Sequence, residues 1–95
     1  MSSIMDSEEF MRLRALRGKA DEGLSRVLDQ ILQEIQRTGN VRTALINVYA
    51  DHIDEVRRDR ELFEVIMRIF EKYSPRLGEE NVYILVKSVL FESSK

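Results

Sequence analysis

Residues 79–91 read Glu-Glu-Asn-Val-Tyr-Ile-Leu-Val-Lys-Ser-Val-Leu-Phe, and how this stretch is read decides the fold. Its centre, Asn81-Val82-Tyr83-Ile84-Leu85-Val86, has the β-branched and aromatic content of a buried strand. A strand needs a neighbour to pair with. No pair of short alternating runs joined by a hairpin turn exists elsewhere in the chain. Glu79 and Glu80 suit the first turn of a helix, where carboxylates meet the positive end of the backbone dipole. The spacing therefore predicts a helix over 79–91.

Outward from that stretch the apolar residues recur at three- and four-residue steps, the mark of helices. Leu24, Val27, Leu28, Ile31, Leu32 and Ile35 form one narrow stripe over residues 24–37, closed by Thr38-Gly39-Asn40. Asn40 is placed to cap a helix over 41–57, with the stripe Val41, Leu45, Val48, Tyr49, His52 and Val56. Asp59 is placed to cap the next one, which runs to about Tyr73 on Leu62, Val65, Ile66, Ile69 and Phe70. Ser74-Pro75-Arg76-Leu77-Gly78 reads as a linker, because proline disfavours helix at the residue before it. Towards the N-terminus, residues 7–17 form a helix capped by Ser7, and Gly18 and Gly23 make 18–23 a break. The expectation is an all-α, compact four- or five-helix bundle-like domain with short loops. Residues 7–92 form this single domain, with disordered termini at 1–6 and 93–95.

On a helical wheel Val82, Leu85, Val86, Val89 and Leu90 make one broad apolar face of the last helix. Ile84 and Phe91 lie outside it, one above the other, with Tyr83 on one flank. A helix apolar nearly all round is normally surrounded. Leaving Ile84 and Phe91 in water forgoes roughly 1.5–3 kcal/mol each. A chain of this size has a modest core and struggles to cover both faces, unless the N-terminal helix folds back and lays Phe10, Leu13 and Leu16 over Ile84 and Phe91. The expected function is thus a non-enzymatic helical interaction module. It would be a homodimer, or a protein docked on a larger one, with Tyr83, Ile84, Lys87 and Phe91 at the interface.

The chain has 95 residues, 15 basic against 17 acidic, and a formal charge of −2. With 43% hydrophobic and 34% charged residues it is too apolar for a disordered chain and too charged for a membrane protein. Its longest apolar run is Val82–Val86, far short of the roughly 20 residues that span a bilayer. The first ten residues, MSSIMDSEEF, do not read as a secretory signal, so a cytoplasmic location is expected.

Cysteine is absent and His52 is the single histidine, which removes thiolate chemistry and nearly all histidine-based clusters. His52 falls inside an apolar arc and reads as a packed histidine with one hydrogen bond. None of the four glycines belongs to a phosphate-binding motif, and Ser88, Ser93 and Ser94 have no neighbouring base. Glu61 and Glu64 stand three apart, a spacing that resembles helical magnesium-dependent pyrophosphatases. Those sites need a second acidic pair downstream on a facing helix, and neither Glu71 nor Glu79-Glu80 provides it. No catalytic, cofactor or metal residue is assigned, and no small-molecule substrate is expected.

Nucleic acid is the alternative partner. Arg12, Arg14, Arg17 and Lys19 place four positive charges in eight residues, and Arg57, Arg58 and Arg60 form a second cluster. Both could contact phosphates in a small regulatory protein. Against this, the chain as a whole is slightly acidic, whereas a dedicated binder is usually basic. A faint helix-turn-helix likeness at 31–48 lacks polar base-readers on its second helix.

Overall fold

The computed structural model describes residues 4–91. Within them the chain forms α1 (Glu8–Ala15), α2 (Glu22–Thr38), α3 (Val41–Asp51), α4 (Ile53–Arg58), α5 (Arg60–Leu77) and α6 (Glu79–Phe91). Two 3-10 turns, Ile4–Asp6 and Arg17–Lys19, precede α1 and α2, and no strand occurs among the described residues. The fold is all-α, as the periodicity predicts. The Val-Tyr-Ile-Leu-Val run is helical because α1, α2 and α5 all pack against it and supply apolar neighbours without a strand partner.

Local chemistry sets most of the boundaries. The Ser7 hydroxyl accepts from the Phe10 N–H at 3.4 Å and starts α1. Asp21, rather than a residue near Leu24, caps α2 by accepting from the Leu24 N–H at 2.8 Å, so that helix begins two residues earlier than its apolar stripe. Gly39 closes α2 in the left-handed region, φ +70°, and its N–H donates to the Ile35 carbonyl at 2.7 Å. Asn40 caps α3 through the Thr43 N–H at 2.9 Å.

Three further boundaries depart from the sequence reading. The expected 41–57 helix is broken at His52 (φ −122°, ψ 39°), whose N–H is shared between the Val48 and Tyr49 carbonyls. Its ring shares a hydrogen bond with Gln30 Oε1 at 2.5 Å, half-buried at the joint rather than packed in the core. The expected 74–78 linker is not one, because α5 continues through Pro75 to Leu77. Tyr73 and Leu77, four apart, both pack on the core, and this outweighs the one backbone bond that proline cannot donate. Gly78, φ +89°, makes the whole connection to α6. Residues 4–6 also form a turn with Ile4 and Met5 against the core, so order begins before Ser7. The remaining terminal residues, 1–3 and 92–95, lie outside the described residues.

The core joins α1, α2, α3, α5 and α6. Phe10, Leu13, Leu28, Ile31, Ile66, Ile69, Phe70, Val82 and Val86 are fully buried within it. Short α1 is a structural part of this core: Phe10 and Leu13 sink between α5 and α6, and the Phe10 ring meets the Tyr73 ring at 5.8 Å. Tyr49 ties α3 to α5 by donating its hydroxyl to the Phe63 carbonyl at 2.6 Å. Burial pushes that hydroxyl's pKa up, so it stays protonated and remains a donor.

Candidate functional site

Acidic residues from two distant parts of the sequence meet where α1 lies on α5. The turn before α1 brings Asp6, and its first turn brings Glu8 and Glu9, as expected beside unpaired helix N–H groups. The first turns of α5 bring Glu61 and Glu64. These five carboxylates, with Arg12 and Arg68, line an open groove of about 950 Å³. The sequence reading sought a partner for the Glu61–Glu64 pair downstream. The acids that join it lie upstream, at Asp6, Glu8 and Glu9, because α1 folds back onto α5.

Each wall of the groove is partly neutralised from within. Arg12 reaches from α1 to form an ion pair with Glu61. Arg60 Nε stands 3.6 Å from Glu64 Oε2, one turn along α5. Glu9 accepts from Lys72 Nζ at 3.1 Å and from the Tyr73 hydroxyl at 3.0 Å. Burial opposes the charge on Glu9, but its own backbone N–H, Lys72 and Tyr73 together outweigh that and hold its carboxyl below the usual value. Asp6 and Glu8 have no ion-pair partner among the described residues.

The two basic clusters are brought side by side. Arg12 touches Glu61, and Lys19 and Arg58 line a second, smaller groove together with Asp21, Glu55 and Asp59. Arg14, Arg17 and Arg57 are exposed. At two places the run of positive charge in 12–19 meets carboxylates in space: Arg12 pairs with Glu61 of α5, and Lys19 shares its groove with Asp21, Glu55 and Asp59.

The residues expected at a partner interface are mostly engaged within the chain. The Tyr83 hydroxyl donates to the Asp29 carboxylate of α2, and Lys87 stands 3.6 Å from the same residue and 5.3 Å from the Tyr83 ring. Phe91 packs against the core. Ile84 remains 59% exposed. Part of the second face of α6 is therefore engaged within the chain, by Asp29 of α2 and by the core, while Ile84 stays open.

Within the described residues, fold and groove define a small six-helix domain with an acidic seam between its first and fifth helices. The chain belongs to the family described as "Calcium binding protein SSO6904", whose model matches residues 1–90. That description names binding rather than catalysis. No curated protein and no solved structure matches the chain.

The donor chemistry of the groove suits calcium, a hard cation that takes oxygen ligands. The placement does not. Among the described residues no three acidic or histidine side chains converge closely enough to hold a metal ion. In this arrangement the residues do not fit the ion, and the absence of any metal residue in the sequence reading stands opposed to the family's description.

Proposed function

We propose that this chain is a non-enzymatic calcium-binding protein. The observation that carries this reading is the family match across residues 1–90. The groove between α1 and α5 matches that reading in donor type alone: its five carboxylates offer oxygen ligands, but no three of them converge. The inventory of one histidine and no cysteine supports binding over catalysis. An ion that binds only the folded chain stabilises it in proportion to the logarithm of its concentration. Chelator-treated protein should therefore melt at a higher temperature in calcium chloride than in an equal concentration of magnesium chloride, with heat of binding in a calcorimetric titration. Identical melting in both salts, with no heat, would overturn the reading.

Self-association is a second reading, favoured by one observation: Ile84 is 59% exposed in the middle of α6. Under it, Ile84→Asp lowers the molar mass measured by light scattering while keeping helical content. A wild-type mass of one chain, 11.2 kDa, would sink it.

A further inference from the structure

The open side of α6 is a stripe that complements its own reverse. At about 100° of rotation per residue, Glu80, Asn81, Ile84, Lys87, Ser88 and Phe91 share one side of the helix. Ile84 stands on its midline, 59% exposed. Glu80 and Asn81 are exposed as well, and Lys87, Ser88 and Phe91 are half-buried. Seven-residue spacing puts Glu80 and Lys87 on one flank of Ile84, and Asn81 and Ser88 on the other. A single flank is therefore acidic towards the start of the helix and basic towards its end.

Glu80 lies four residues before Ile84 and Lys87 three after it, about 6 Å and about 4.5 Å along the axis. Turning a second α6 end for end about a two-fold axis at Ile84 reverses its direction and keeps each flank on its own side. Glu80 then faces the partner's Lys87 twice over, Asn81 faces the partner's Ser88, and Ile84 meets the partner's Ile84. A parallel pair sets Glu80 against the partner's Glu80 and Lys87 against the partner's Lys87, and like charges repel. Within the chain these two groups are lightly held. Glu80 accepts from the neutral Gln36 amide at 3.1 Å, and Lys87 stands 3.6 Å from Asp29, beyond short hydrogen-bond range.

We infer that α6 is the seam of a two-fold dimer, lying antiparallel to the α6 of a second copy, centred on Ile84, with Glu80 and Lys87 paired across it. This rests on the self-association reading and fixes the geometry of its seam. The charge pattern sets the orientation, and Ile84 supplies apolar contact otherwise left to water. One helix face is a small contact, so the association is weak and concentration-dependent.

The test begins with sedimentation equilibrium of wild type up to about 1 mM, which reveals association of millimolar strength. The chain lacks cysteine, so Ile84→Cys, Glu80→Cys and Lys87→Cys each carry one thiol. Each variant is checked for helical content. Under mild oxidation Ile84→Cys should form a covalent dimer at least about tenfold faster than Glu80→Cys, because the two 80 positions lie about 12 Å apart along an antiparallel seam. Mixing Glu80→Cys with Lys87→Cys should restore fast cross-linking. Glu80→Lys should weaken association about tenfold, since the two-fold axis doubles each loss. If wild type associates but Ile84→Cys cross-links no faster than Glu80→Cys, or Glu80→Lys associates as tightly as wild type, the antiparallel seam is overturned while self-association stands. A wild type that stays at 11.2 kDa throughout overturns both.

Discussion

The Tyr73 hydroxyl donates to Glu9 Oε1 at 3.0 Å, fastening the first helix to the fifth across 64 residues of sequence. Lys72 holds the other oxygen of the same carboxylate at 3.1 Å. Tyr73→Phe removes the hydroxyl but keeps the ring against Phe10. It should cost about 1 kcal/mol, read from chemical denaturation.

Glu9 also sets a pH dependence. Its carboxyl ionises below the ordinary value of 4.5 in the folded chain. A depressed carboxyl contributes stability that is complete above its unfolded value and is lost as pH falls through the folded one. Wild type should therefore lose more melting temperature than Glu9→Gln on acidification from about pH 6 to about pH 3. Parallel losses in the two proteins would remove Glu9 from the account.

Phe10 is fully buried although its helix is eight residues long and carries two arginines. Phe10→Ala should cost about 3–5 kcal/mol, a large share of the roughly 5–15 kcal/mol that holds a domain folded. Denaturation midpoints decide it. A cost under about 1 kcal/mol would mean that α1 is dispensable to the core.

Ser74 is buried, 7% exposed, and its hydroxyl has no hydrogen-bond partner among the described residues. A buried hydroxyl without a partner is a net cost to folding. Ser74→Ala should raise stability by about 1 kcal/mol, which for a domain this size is about 4–8 °C in melting temperature. A lower melting temperature would show that the oxygen is in use.

Gly39 closes α2 at φ +70°, with nothing within 4 Å of the position a Cβ would take. Its substitution therefore tests backbone conformation without a steric clash. Gly39→Ala should cost about 1–2 kcal/mol, the penalty of the left-handed region for a residue with a side chain. An unchanged melting curve would contradict this.

Short-range chemistry was legible and long-range placement was not. Asn40, Gly39 and Glu79-Glu80 act within one turn of their own position, so residue type alone locates the end of α2 and the starts of α3 and α6. Pro75 misleads because its local preference is weaker than the tertiary packing of Tyr73 and Leu77 on either side of it. His52 misleads as well: its place in the apolar arc predicts a packed ring, but the ring meets Gln30 at the position where the helix breaks. The acidic groove needs to know that α1 folds onto α5. Nothing in Phe10, Leu13 and Leu16, interleaved with arginines, specifies which helix they meet. The same gap hid the partner of Tyr83 and Lys87, which is Asp29 of α2, while Ile84 stays exposed.

The burial of Phe10 and Leu13 between α5 and α6 has a consequence for biosynthesis. The first helix leaves the ribosome long before the residues that form its seat, and Tyr73 follows Glu9 by 64 positions. At roughly 5–20 residues per second, the nascent chain carries two unseated greasy side chains for several seconds. Completion of the domain is therefore a late closure that waits for the fifth and sixth helices rather than a stepwise growth from the first helix onward.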